Sequence, residues 1–250
     1  MITLYHRPET LEEALKLLTQ PSTIPLGGGT LLSQPTPDPV NVVDLQRLNL
    51  DSLTKSGNDI HLGATVTLQL LLESEHCPKA MKQALRLEAP LNLRNSATAA
   101  GTLVACDGRT PFVTVLMALD ARVEQAFLNG SNIETRATSI GEFLPLRPKG
   151  LITKIIFPSK VDLAFEYVSR TPSDMPIVCA ALAGWGSSRR RLALGGYGKS
   201  PMLAMDGTSS DDLAAAARNA YHEANDEFGS AEYRMDVAAT LAQRCAKSLA

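Results

Sequence analysis

Pro25-Leu26-Gly27-Gly28-Gly29-Thr30-Leu31-Leu32 is the stretch whose reading decides the fold. It follows a helix-patterned segment and precedes a short apolar run, so three glycines and a hydroxyl residue sit at a junction between elements. Glycine carries no Cβ to hold a phosphate away from the backbone N–H groups, and such turns therefore cradle phosphates. One glycine turn is common and weakly diagnostic. A second lies in Leu93-Arg94-Asn95-Ser96-Ala97-Thr98-Ala99-Ala100-Gly101-Thr102, which leads into Leu103 and Val104. Two glycine-centred turns in this order imply a clamp on a pyrophosphate, and hence on a dinucleotide.

Outward from the first turn, residues 10–18 read as a helix. Thr10 caps it, Glu13 completes a capping box, and Leu11, Ala14, Leu15 and Leu18 share one face. Residues 40–45 read as a short buried strand, closing a small α/β unit near residue 53. A second unit opens with a strand over 60–64, then helices over 67–73 and 79–88, the latter stopping before Pro90. Beyond the second turn, residues 111–119 read as a helix with proline near its start, where a missing N–H is tolerated. Strands over 123–127 and 133–136 flank Asn129-Gly130, the strongest short hairpin signal in the chain. Asn129-Gly130-Ser131 also spells a glycosylation sequon, but the turn reading takes precedence.

The last part changes character. Residues 151–157, 163–168, 177–183 and 191–195 read as strands, and amphipathic helices over 211–223 and 231–249 close the chain. Strands followed by helices predict an α+β layer. The units run 1–53, 54–158 and 159–250. Residues 35–39 read as a proline-rich loop, and Arg189-Arg190-Arg191 as a solvated hairpin turn.

Composition excludes several classes of function. A formal charge of −2 supplies no general attraction to nucleic acid or to an anionic membrane. Cys77, Cys106, Cys179 and Cys245 form no CxxC pair, and with four histidines they offer neither zinc nor iron–sulfur spacing. Met1-Ile2-Thr3-Leu4-Tyr5 turns polar too soon for a signal peptide, and no apolar run is long enough to span a bilayer. The expectation is a cytoplasmic protein with reduced thiols. Residues 27–32 are no GxGxxG, because Leu32 takes the third glycine's place. Gly198-Lys199-Ser200 resembles the end of a P-loop, but Ala193 replaces the first glycine and Pro201 follows the serine.

The flanks of both turns carry a resemblance. The chain resembles the FAD-binding medium subunit of the molybdenum hydroxylases, the group of xanthine dehydrogenase and carbon monoxide dehydrogenase. That family reads Ala-Gly-Gly-Thr-Asp-Leu at its first turn, which residues 27–32 match except at Gly27 and Leu31. At the second it reads Ile-Arg-Asn-x-Gly-Thr-Ile-Gly-Gly-Asn-Leu, of which Arg94, Asn95, Thr98, Gly101 and Leu103 are kept. Ala118-Leu119-Asp120-Ala121, Ala231-Glu232-Tyr233-Arg234 and the opening Arg7-Pro8 followed by Leu11-Glu12-Glu13-Ala14 extend the similarity nearly end to end.

The resemblance implies an α+β chain: a two-subdomain FAD-binding domain of the PCMH/VAO type, then a C-terminal antiparallel sheet with helices. It implies FAD as cofactor, held by Gly27, Gly28, Gly29, Thr30, Thr98 and Gly101. Flanking contacts are implied for Pro25, Leu26, Leu31, Ala97, Ala100 and Thr102, and for the distant Pro111, Ile152 and Tyr167. It also implies a molybdopterin-binding large subunit, a [2Fe-2S] small subunit, and electron delivery to NAD or another acceptor. Several positions depart from the pattern. Leu31 and Pro111 stand where the family has aspartate, Ala100 where it has glycine, Thr102 where it has asparagine, and Tyr167 where it has lysine, while Arg170 and Asp174 persist. Arg109 is a candidate to pair with a phosphate in compensation. Two other readings stay open: a degenerate, cofactor-free scaffold subunit and a stand-alone flavin carrier.

Overall fold

The computed structural model describes residues 1–34, 38–208 and 212–249. The first unit alternates strand and helix: β1 (Ile2–His6), α1 (Leu11–Leu18), β2 (Thr23–Leu26) and β3 (Val40–Asp44). Its strands are parallel, in the order β1-β3-β2. Thr10 caps α1, its Oγ1 accepting from the Glu13 N–H at 3.2 Å. The returning bond of the box reaches one residue further back, from the Glu9 N–H to Glu13 Oε2 at 3.2 Å. Ala14 and Leu15 then pack with Val43, Leu45, Ala126 and Leu151. β1 and β2 add to the sequence expectation. β1 is exposed along most of its length and β2 contains Pro25, so neither shows the alternation that marks a half-buried strand.

The second unit begins with β4 (Leu53–Ser56) and β5 (Asp59–Gly63). A helical layer follows: α2 (Leu68–Glu73), α3 (Lys79–Glu88), α4 (Leu91–Arg94), α5 (Ala99–Ala105) and α6 (Pro111–Ala118). The hairpin β6 (Arg122–Asn129) and β7 (Asn132–Ser139), then α7 (Ile140–Leu146) and β8 (Leu151–Pro158), complete an antiparallel sheet ordered β4-β5-β8-β6-β7. Two expectations are corrected here. The second glycine turn is mostly helix: Gly101 lies inside α5, with Thr98 as its N-cap. In the hairpin, Asn129 pairs with Asn132, so Gly130 and Ser131 are the central residues. Only the glycine has positive φ, at 61°, as a II′ turn requires.

The third unit is the meander β9 (Asp162–Val168), β10 (Val178–Gly184), β11 (Arg190–Gly195) and β12 (Met202–Gly207), antiparallel in the order β12-β11-β10-β9. α8 (Leu213–Ala220) and α9 (Ala231–Ser248) cover one face of it. The other face shares a core with the second unit, in which Phe165, Cys179, Ala181 and Ala193 join Ile60, Phe112, Leu116 and Ile155. Every residue of β10 is therefore buried, as is every residue of α6. Residues 35–37 of the expected proline-rich loop at 35–39, and the expected helix start at Asp211, lie outside the described residues.

Two arginines are locked into this core. Arg234 is fully buried: its guanidinium donates to the carbonyls of Ala224 and Gly229 at 2.9 and 3.0 Å and to Asp226 Oδ1 at 2.7 Å. The arginine run is no solvated turn. Arg191 is 6% exposed, donating to Met117 O at 3.0 Å and to Asp206 at 2.6 Å, and Arg189 bridges Asp120 and Asp206. A buried guanidinium persists only where carboxylates and carbonyls occupy its N–H groups, and a β11 strand facing Asp120 and Asp206 supplies both. No helix among the described residues is long and apolar enough to cross a membrane.

Candidate functional site

β2 ends at Leu26 and runs directly into the glycine loop, at the carboxyl end of a parallel strand, where open sheets place their ligands. Gly29 takes φ +69°, a conformation that favours glycine. Gly28 serves a different purpose. A Cβ there would lie 1.6 Å from Ser96 O, and one on Gly27 would lie 2.7 Å from Thr98 Oγ1. The two sequence motifs thus touch, and the glycines are the reason they can.

No N–H group from Gly27 through Leu32 donates to an acceptor among the described residues. The second motif is arranged the opposite way. At the start of α5 the Ala99 N–H donates to Val66 O at 2.9 Å and the Ala100 N–H to Ala64 O at 3.1 Å. Gly101 N–H donates to Thr98 Oγ1 at 3.1 Å and Thr102 N–H to Thr98 O at 2.9 Å. The donors of α5 are spent on holding the helix in place. Ala100 is helical, so its Cβ meets no backbone conflict. The unspent donors are those of the first loop and the Thr98 N–H, which likewise donates to no acceptor among the described residues.

A cavity of about 410 Å³ opens between these motifs. Pro25, Gly27, Gly28, Gly29, Thr30 and Leu31 line it from the loop, Thr98, Ala100 and Gly101 from α5, and Ile152 from β8. Leu26, Ala97, Thr102, Pro111 and Tyr167 are not brought to the lining. Pro111 is buried at the first position of α6, and Tyr167 pairs with Cys179 across the C-terminal sheet. Arg109 is turned elsewhere: it donates to Met175 O at 2.7 Å and Pro176 O at 3.1 Å and stacks on Phe228. It anchors the loop between β9 and β10, so the expected phosphate pairing is not its role here.

The walls also include residues that the sequence reading missed, Ile24, Leu32, Leu45, Ala64, Val104, Ala105, Gly150 and Leu151. Leu45 and Leu151 read as ordinary core residues in a linear pattern, and only the packing of the first unit on β8 brings them together. Among the described residues, no charged side chain lines this cavity. Its polar equipment is backbone N–H plus the hydroxyls of Thr30 and Thr98. Burial pushes the Cys106 thiol up to about 11 and those of Cys77, Cys179 and Cys245 to about 12, so none is a thiolate at neutral pH. A site of this kind suits an anionic diphosphate carrying large apolar rings.

Comparison with known proteins supports that assignment. Residues 1–160 match the family model described as the FAD binding domain in molybdopterin dehydrogenase. The chain is 29% identical over 251 residues to the Escherichia coli K12 protein YgfM, covering 96% of this chain and 94% of that one. It is 24% identical over 270 residues to the carbon monoxide dehydrogenase medium chain of Afipia carboxidovorans, with the same coverage of each. The solved Cu,Mo-CO dehydrogenase in its cyanide-inactivated form superposes with a TM-score of 0.83 at 23% identity, covering 100% of this chain and 98% of that one, a likeness of fold. The chain belongs to the family of FAD-binding domains in molybdopterin dehydrogenases, and its cofactor is FAD.

Proposed function

We propose that the chain is the electron-transfer subunit of a molybdopterin-containing hydroxylase or dehydrogenase, built from the units 1–53, 54–158 and 159–250 and working in the cytoplasm. In this reading it acts only in an assembly. A molybdopterin-binding large subunit and a [2Fe-2S] small subunit supply the electrons, and NAD or another acceptor removes them. Bound FAD supplies the redox chemistry itself.

The chain's own residues bind and orient. The observation that carries the reading is the loop at 27–32, whose N–H groups lack an acceptor among the described residues where that loop lines a charge-free cavity. These donors, with the hydroxyls of Thr30 and Thr98, would hold the pyrophosphate. Ile24, Leu45, Val104 and Ile152 offer the apolar wall that excludes water from the rings. Among the described residues no titratable side chain is in the lining, so the wall as described offers no general acid or base.

Reconstitution tests this. The chain is expected to take up FAD in preference to FMN, because FMN offers one phosphate and no adenosine half and so fills only part of a pyrophosphate cradle. Flavin absorbance after desalting, with chromatography of the released cofactor, measures it. Equal affinity for FMN would overturn the pyrophosphate cradle, and no uptake of either would overturn the reading in favour of a cofactor-free scaffold.

A further inference from the structure

The hairpin strand β7 forms one edge of the five-stranded sheet, and among the described residues β6 is its one paired neighbour. At 8 residues it is the longest edge strand of the three sheets. Its sequence, Asn132-Ile133-Glu134-Thr135-Arg136-Ala137-Thr138-Ser139, holds no proline and no lysine, and its register with β6 runs without a bulge. Those are devices that ordinarily stop an edge from pairing with another chain. Most of the strand is exposed, including the apolar Ile133.

The turn fixes which backbone groups are free. Asn129 and Asn132 close a two-residue turn, and such a closing pair is hydrogen-bonded. Alternation along the unbroken register then turns the N–H and C=O groups of Asn132, Glu134, Arg136 and Thr138 toward β6. Those of Ile133, Thr135 and Ala137 point outward and meet no partner among the described residues. A strand added at this edge must present its own outward-facing residues at these positions.

Side chains decide which strand fits. Glu134 and Arg136 are two apart and so share one face, where the Arg136 guanidinium donates to Glu134 Oε2 at 2.7 Å and sits over the Phe127 ring. A second copy of β7, laid antiparallel with Thr135 opposite Thr135, also brings Ile133 opposite Ala137. Each of these outward pairs can exchange two backbone hydrogen bonds. Between them, Glu134 of each chain faces Arg136 of the other. Sliding the copy by two residues sets Glu134 against Glu134, or Arg136 against Arg136, and like charges opposite one another are destabilising. A one-residue slip sets outward groups against groups already bonded to β6. One register therefore satisfies backbone and charge together, and this edge is complementary to itself, as a twofold contact demands.

We propose that β7 is a homodimerisation edge: two copies of the chain join their five-stranded sheets through antiparallel β7 strands centred on Thr135, with Glu134 and Arg136 in reciprocal ion pairs. A lone strand pair buries less surface than an obligate interface does, so the dimer is expected to be reversible and concentration-dependent. No β7 residue lines the cofactor cavity, so flavin uptake should not depend on this contact.

Sedimentation velocity of the full chain over a concentration series is expected to show a monomer–dimer equilibrium that added salt weakens. Thr135→Pro removes an outward N–H and leaves the ladder to β6 whole, and it should weaken the dimer at least about tenfold. Arg136→Glu sets carboxylate against carboxylate, and Glu134→Arg sets guanidinium against guanidinium. Each alone should weaken association about tenfold, because two cross-strand pairs change sign at once. Mixed with each other, these two single variants regain opposite charges across the contact and should associate at least about tenfold more tightly than either alone. Damage within one chain cannot produce that rescue, and thermal melts with flavin absorbance show that the variants are folded. A wild type that stays monomeric throughout overturns the proposal. So does a folded Thr135→Pro chain that dimerises like the wild type, or a mixture that associates no more tightly than its components.

Discussion

Gly28 shows how one residue shapes the cradle without touching a ligand. Its missing Cβ lets the first loop rest on the Ser96 carbonyl, where a methyl group would lie 1.6 Å away. Gly29 has the different task of turning the chain at φ +69°, and its nearest obstacle is the flexible end of Leu26 at 3.3 Å. Gly28→Ala is therefore expected to push the two motifs apart, lowering the melting temperature and weakening FAD binding by at least about tenfold, more than 1 kcal/mol. Gly29→Ala should cost about 1–2 kcal/mol of backbone strain and leave the motifs in contact. Thermal melts with and without FAD distinguish the two. Should Gly28→Ala bind FAD as the wild type does, the loop contact plays no part in forming the cradle. The glycines themselves were legible in the sequence. Which of them meets protein was not, because the partner carbonyl of Gly28 comes from a segment that folding alone brings near.

At the scale of elements, α6 depends on a carboxyl supplied by α3. Glu88 Oε2 accepts from the Phe112 N–H at 3.0 Å, close to the start of a helix whose residues are all buried. Burial pushes the Glu88 carboxyl up from 4.5 to about 8; the Phe112 N–H pulls it down, and the charge of Asp107 adds to the rise. The sign of the consequence is set by proton counting. Between the ordinary and the raised value, the folded chain holds a proton that the unfolded chain has released. Stability contributed by this group is thus full below pH 4.5, falls as pH rises through the window to about 8, and is level beyond it. Urea midpoints at either end of that window should show the decline in the wild type and a flatter profile in Glu88→Gln, which keeps an acceptor for the Phe112 N–H. A Glu88→Gln chain with the wild-type decline would assign the pH dependence to other groups. The helix periodicity of α3 was readable, but the inward turn of its last glutamate was not, since charge at a helix end ordinarily signals solvent.

For the whole molecule, the main core does not respect the boundary at residue 158. Phe165, Cys179, Ala181 and Ala193 of the C-terminal sheet pack in one cluster with Phe112, Leu116 and Ile155. Burial of apolar surface is worth about 25 cal/mol per Å², so deleting the sheet strips the cover from α6, whose every residue is apolar or buried. A fragment of residues 1–158 is expected to aggregate or to bind apolar dyes, although it contains nearly the whole stretch that matches the family. Size-exclusion chromatography and a thermal melt of the fragment decide this. A monomeric fragment with a cooperative transition would show that the FAD-binding part folds alone.

What the sequence determined by itself was the local grammar. Thr10 was readable as the cap of α1, and Thr67, Thr98 and Ser230 cap their helices in the structure by the same relation between residues three positions apart. The glycine loop at 27–29 was equally plain, because absence of a Cβ is a property of the residue and needs no neighbour. Tertiary structure decided the rest. It spent the N–H groups of Ala99 and Ala100 on Val66 and Ala64, and left those of the first loop without an acceptor among the described residues. It buried Arg191 and Arg234 by surrounding them with carbonyls and carboxylates from distant segments. It also assembled the cavity wall from Leu45, Val104 and Leu151, which lie on three different elements or their ends. Hydrogen-bond partners and cavity walls are relations between remote residues, and a linear pattern holds only the near ones.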